Sequence, residues 1–199
     1  MLFRVLVFFL FLFGGPGVRA GEPDPALVLS SLVNPGKIDG LTGERAANPR
    51  LRKIVYWVEV SRRSGADPAA VVLSAQKRAG YAGTARADAD RESILRNRVI
   101  LERLGCLGDA GMAALRAGKA PVVTRGPYFG GVVEVDHIIP RAVVPELDDR
   151  LYNLEFMPSK LNREKSANIG VRQRQLAEKW NKAGLLSDAG FRAVMAVAK

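Results

Sequence analysis

The chain has 199 residues, one cysteine, one histidine, and 30 Lys and Arg against 20 Asp and Glu, a formal charge of +10. That length suffices for a real hydrophobic core, in one domain or in one catalytic module with a helical annex, so no disulfide or metal staple is required. The lone Cys106 excludes an intramolecular disulfide and a zinc site built from several thiolates; set in Leu104-Gly105-Cys106-Leu107, it reads as a buried small hydrophobe.

Residues 1–20 read as an export signal. Arg4 gives a basic start, residues 5–13 are an unbroken apolar run, residues 14–17 break it, and Val18-Arg19-Ala20 offers the small residues a signal peptidase cuts after. The run is far shorter than the roughly 17 to 25 residues of a membrane-spanning helix. Cleavage before Gly21 and a periplasmic or extracellular location are the expectation, with no stable membrane association afterwards. Only Arg4 and Arg19 leave with the segment, so the mature charge stays at +8. Such an excess favours a polyanion, whose counterions are released on binding, although many exported proteins are basic without binding nucleic acid.

Residues 21–43 are rich in Gly and Pro and, apart from an apolar patch at 27–33, predict a mostly irregular lead-in. Asn48-Pro49 reads as a cap followed by proline at the first helical position, with Leu51, Ile54, Val55 and Val58 on one face behind it. Asp67-Pro68 repeats the signal before Val71, Val72 and Ala75, and Gly80 marks the stop. A longer helix over 88–104 carries Ile94, Leu95, Val99, Leu101 and Leu104 as an apolar stripe, with Arg91, Arg96, Arg98 and Arg103 on its outer face. A short helix over 109–117 ends at Gly118.

At Pro121 the periodicity changes. Val122-Val123-Thr124, a Gly126-Pro127 turn and residues 130–135 are strand-like, and Leu154-Glu155-Phe156-Met157 is a second stretch able to pair with them. Helix returns over 159–167, over 171–183, and from Ser187-Asp188 onward. The expected fold is α+β: a mostly helical region over 21–120, then over 121–199 a strand-strand-helix unit with closing helices packed on it.

The chemistry-bearing residues concentrate in Glu134-Val135-Asp136-His137-Ile138-Ile139-Pro140, Tyr152-Asn153-Leu154 and Ser159-Lys160-Leu161-Asn162-Arg163-Glu164-Lys165. An Asp ending a strand and an Asn on the next helix can offer two oxygens to one hard cation, leaving other positions for water and phosphate oxygens, as Mg²⁺ prefers. Asp136 and Asn162 are the candidate ligands. Adjacent strand residues face opposite ways, so Asp136 and His137 serve one site only if the strand ends or twists there, as Pro140 suggests. Arg141, Lys160, Arg163 and Lys165 are candidate phosphate contacts, Lys165 foremost, with Arg172 and Arg174 weaker. Glu134 shares the face of Asp136 and could support the metal from behind.

In residue types, order and spacing, the segment 134–165 resembles the HNH endonuclease signature. The resemblance covers a minority of the chain and implies a ββα-metal module over about 121–167. It makes His137 the general base, a task suited to an imidazole near neutrality, and Asn153 the brace of the intervening loop. Many relatives carry His where Asn162 stands; Asn favours an oxygen-liking metal, Mg²⁺ first and Mn²⁺ or another divalent ion next, over zinc. The substrate implied is DNA or RNA, cut with little sequence preference, because no zinc finger or helix-turn-helix signature is present. Two other readings stand beside it. A secreted basic nucleic-acid-binding protein on a degenerate nuclease scaffold is disfavoured by the intact Asp136, His137 and Asn162; an antibacterial nuclease toxin would differ in biology more than in residues.

Overall fold

Short polar residues followed by proline start three of the helices, because proline fixes φ for the first turn and lacks an N–H that would need a partner there. The computed structural model describes residues 23–165 and 168–197; the expected signal segment lies outside them. Helix α1 (Pro25–Leu32) is capped by Asp24, whose Oδ1 accepts from Ala26 N at 2.9 Å, and α2 (Pro35–Asp39) by Asn34, which accepts from Lys37 N at 3.1 Å. The lead-in expected to be irregular is therefore helical and deposits Leu29, Val33 and Ile38 in the core. The prolines that suggested irregular chain start the helices instead.

Helix α3 (Ala47–Arg63) buries Leu51, Ile54, Val55 and Val58 as its period requires. It begins before Asn48, so Asn48 is a buried first-turn residue, not the cap. Helix α4 (Pro68–Arg78) has the expected Asp67 cap, with Oδ2 accepting from Ala70 N at 2.9 Å, and stops at Gly80, whose φ is 79°. Helix α5 (Ala85–Arg103) starts three residues before the expected point, because Thr84 Oγ1 accepts from Ala87 N. Helix α6 (Asp109–Arg116) ends at Gly118, also at positive φ.

The inner face of α5 is not purely apolar. Asp90, Ser93, Asn97 and Arg98 are buried beside Ile94 and Leu101. Arg98, expected on the outer face, lies inside, with Nε 3.2 Å from Glu59 and Nη2 2.7 Å from Glu102. Burial alone would raise the Glu59 carboxyl, but Arg62, Arg63 and Arg98 outweigh it and hold it below the usual carboxylate range. Asp90 has no such surplus of cations: burial pushes it up to about 7 against the opposing charge of Arg86.

Strands β1 (Val133–His137) and β2 (Leu154–Pro158) pair antiparallel, in a register from Val133 opposite Pro158 to His137 opposite Leu154. The predicted strand at 122–124 shrinks to one bridge, Val122 with Val132, across a hairpin turn. Two single 3₁₀ turns, Pro145–Leu147 and Leu151–Asn153, shape the connection between the strands. Then follow α7 (Ser159–Lys165), α8 (Val171–Lys182) and α9 (Asp188–Ala196, capped by Ser187). The described chain is thus α+β, mostly helical around a two-stranded sheet.

A two-stranded sheet leaves exposed edges, and α5 covers one of them with side chains. Asn97 accepts from Phe156 N at 2.7 Å and donates to Leu154 O at 2.9 Å, mimicking a third strand, while Ser93 Oγ donates to Leu151 O at 2.8 Å. The larger core gathers residues of α1, α3, α4, α5 and α6 together with Val133, Val135, Leu154 and Phe156. A second core packs Ile138, Ile139, Val144, Leu147 and Tyr152 against α8 and α9, with Tyr152 edge-on to Trp180 at 5.0 Å. The expected boundary at 120/121 therefore separates kinds of secondary structure, not hydrophobic cores. Cys106 is buried, and burial pushes its thiol up to about 11. No helix among the described residues is long and apolar enough to cross a membrane.

Candidate active site

Strand alternation sets the chemistry. Val133 and Val135 point into the larger core, so Glu134 and Asp136 must take the opposite face of β1, the face that α7 covers. On α7, Asn162 and Lys165 are three residues apart and share a side of the helix. They are offset by about 4.5 Å along it, against roughly 6.6 Å between the two acids, so each acid meets its own partner. Asn162 Nδ2 donates to Glu134 Oε2 at 2.8 Å. The Lys165 ammonium donates to both Asp136 Oδ2 and the main-chain oxygen of His137.

Across the register from Asp136 stands Glu155, an acid buried in an otherwise apolar strand. Arg172 Nη1 lies 2.8 Å from one of its oxygens and Arg96 Nε 3.2 Å from the other. Burial acts to raise this carboxyl, but Arg172, Arg96 and Lys165 prevail and hold it below the usual carboxylate range. Arg172, a weak candidate for phosphate contact, is thereby committed to Glu155. Arg174 is placed away from the site: it donates to the carbonyls of Val194, Met195 and Val197, closing the C-terminal end of α9.

His137 is the last residue of β1, and its ring leaves on the side of the connecting loop. Nε2 sits 2.9 Å from the main-chain oxygen of Asp148 and 2.9 Å from its Oδ1. A carbonyl oxygen can only accept, so Nε2 carries the proton and, in the neutral ring, Nδ1 keeps the lone pair. One N–H serves one acceptor well; the carbonyl takes it, and Oδ1, without a hydrogen bond of its own, contributes charge. The neighbouring Asp149 carboxyl is raised by burial and by the charge of Asp148.

Asn153 is wholly buried just before β2 and spends its amide on the loop: Oδ1 accepts from Ile139 N at 2.8 Å, and Nδ2 donates to Ile139 O at 3.0 Å and Leu147 O at 3.2 Å. These three bonds tie Ile139 and Leu147, the residue before Asp148, to the end of the hairpin. Arg141 lies on the loop side, with Nη2 2.9 Å from Glu44 and Nη1 3.6 Å from Asp148, away from α7. Lys160 and Arg163 are exposed on α7 and line a cleft with Pro127, Tyr128 and Phe129.

Of the residues singled out by sequence, the structure gathers Glu134, Asp136, Asn162 and Lys165 on one face, sets the His137 ring on the loop side next door, and assigns Lys160 with Arg163 and Arg141 to separate surfaces. Asp148 and Glu155 were not singled out. The signals for them are two adjacent acids in a loop shortly after the only histidine, and one acid inside an apolar strand. Among the described residues no three of His, Cys, Asp and Glu cluster as metal ligands. The oxygen donors at hand are the Asp136 carboxylate and Asn162 Oδ1, the amide atom left over once Glu134 takes Nδ2. The Asp136 carboxylate already attracts an ammonium, and a carboxylate and an amide oxygen are the kinds of hard donor that a small divalent cation takes. No known protein-family model, curated protein or solved structure matches the chain.

Proposed function

We propose that this protein is an exported, metal-dependent endonuclease of the HNH type that hydrolyses phosphodiester bonds in DNA or RNA. The observation that carries the reading is the hairpin-plus-helix unit in which Asp136 and Asn162 occupy one face and the adjacent His137 donates Nε2–H to a main-chain carbonyl. A histidine held this way has Nδ1 free to take a proton from an attacking water. As the ring becomes cationic, the Asp148 carbonyl and carboxylate stabilise the charge at Nε2.

Asp136 and Asn162 Oδ1 would hold the cation, with Glu134 orienting the Asn162 amide. When bound, the ion supplies Lewis-acid stabilisation of the phosphate and the leaving oxygen. Lys165, paired with Asp136, offers a positive charge suited to a non-bridging phosphate oxygen once that carboxylate is given over to the cation. Asn153 keeps the loop, and so the imidazole, in place by its three main-chain bonds. Arg141 adds positive charge on the loop side.

The test is cleavage of plasmid by purified protein in Mg²⁺ or Mn²⁺, beside the same protein in EDTA and beside Asp136→Ala. Wild type should nick or linearise the plasmid with metal and stop in EDTA, and Asp136→Ala, assayed at a temperature where it is folded, should lose on the order of 10²-fold or more in rate. Equal cutting in EDTA, or by the alanine variant, would overturn the assignment.

A further inference from the structure

Three of the six large exposed hydrophobics among the described residues, Val122, Phe129 and Val132, lie on one hairpin, residues 121–132, immediately before β1. Phe129 is the extreme case, 76% exposed. Burying a phenylalanine is worth roughly 1.5–3 kcal/mol, which a ring left almost bare at a tip can gain by stacking on an occupant. The tip is not loose. Thr124 N and Arg125 N both donate to Leu104 O, Gly130 N donates to Val123 O, and Phe129 N donates to Gly126 O in a tight turn. Gly126 and Gly130 supply the left-handed backbone that this turn demands, with φ of 80° and 78°. The ring is presented on a rigid mount.

Beside it the two sides of α7 divide the labour. Asn162 and Lys165 face the acids of β1, whereas Lys160 and Arg163, also three residues apart, turn to the hairpin tip. With Pro127, Tyr128 and Phe129 they line a cleft of about 230 Å³. That is below the roughly 300–1,000 Å³ of a site for a whole drug-sized ligand and suits a single flat ring. Lys165, Arg96 and Arg172 are committed to Asp136 or Glu155, but Lys160 and Arg163 have no ion-pair partner among the described residues.

From an exposed aromatic on a rigid turn, flanked by two uncommitted cations, we infer that this cleft takes one unpaired nucleobase stacked on Phe129, with its adjoining phosphates on Lys160 and Arg163. A paired base is already stacked on both sides and cannot offer its face, so the cleft selects single-stranded or frayed nucleic acid. Because α7 is only about 10 Å long, the stacked base would lie within a nucleotide or two of the phosphate at Asp136. The inference rests on the nuclease reading for that placement, but the stacking itself needs no cleavage.

The probe is a short fluorescent single strand and its blunt duplex, titrated in EDTA with wild type, Phe129→Ala and Phe129→Trp. Phe129→Ala should weaken single-strand binding about 5- to 150-fold, leave duplex binding nearly unchanged, and keep the melting temperature, since the ring packs on little. Phe129→Trp should bind as wild type does. An equal loss on both probes, no loss on either, or no binding of the single strand by wild type would overturn the inference. A protein that cuts plasmid while Phe129→Ala binds normally sinks this site alone. A protein with the predicted Phe129 dependence and no cleavage sinks the nuclease reading alone.

Discussion

Replacing His137 with alanine is expected to slow phosphodiester cleavage about 10²- to 10⁴-fold, the range that a positioned general base contributes. The residue is the only histidine in the chain, so no second imidazole can stand in for it. Its ring nitrogens are made unequal by one contact: Nε2–H is spent on the Asp148 carbonyl, and only Nδ1 can accept a proton. Removing the ring therefore removes the acceptor, while the proposed phosphate contacts Lys160, Arg163 and Lys165 are untouched. The loss should appear in kcat with KM little changed, the signature of an interaction realised in the transition state. Measured by single-turnover cleavage at saturating metal, a loss smaller than tenfold would take the base assignment away from His137.

The largest stability effect is expected at Glu155. Glu155→Ala leaves Arg96 with no carboxylate while most of its side chain stays buried, and breaking a buried pair from one side costs about 3–5 kcal/mol. For a chain of this size that lowers the melting temperature by about 6–20 °C. The pH dependence has a definite sign. Arg172, Arg96 and Lys165 hold the folded carboxyl below its unfolded value, so Glu155 binds fewer protons folded than unfolded and stabilises the fold above the unfolded value of about 4.3. The difference in melting temperature between wild type and Glu155→Ala should be full at neutral pH. It should shrink as pH falls below about 4.3 through the depressed folded value. A difference that is absent at pH 7, or that widens in acid, would contradict the assignment of Glu155 as an ionised anchor.

What the sequence made legible was local. Asp67-Pro68 announced α4, the change to β-branched residues after Pro121 announced the strands, and the apolar stretch at Leu154 proved to be the partner of β1. The same cap-and-proline signal stands at Asp24-Pro25 and Asn34-Pro35, where a high content of Gly and Pro argues for loop while the caps argue for helix. The caps won, since each satisfies an N–H of its first turn and the turns bury apolar side chains.

What was not legible was pairing over distance. Arg98 looked like a surface charge on its helix; it is inside because Glu59, 39 residues earlier, waits for it. Asp148 reaches His137, Asn97 caps the edge of β2, and Lys165 settles on Asp136, each through contacts that no helical or strand period encodes. For the candidate site, residue types and order named Asp136, His137, Asn153 and Asn162, with Glu134 and the cations near them, but Asp148, Glu155 and the pairing of each charge came only from the folded chain.

The proposed chemistry requires one divalent cation between Asp136 and Asn162. The most direct measurement is anomalous diffraction from crystals grown with Mn²⁺, which locates the ion without relying on activity. A single Mn²⁺ is expected, coordinated by Asp136 and by Asn162 Oδ1, with the Lys165 ammonium displaced from the carboxylate. Mn²⁺ bound elsewhere while Lys165 still holds Asp136 would contradict it.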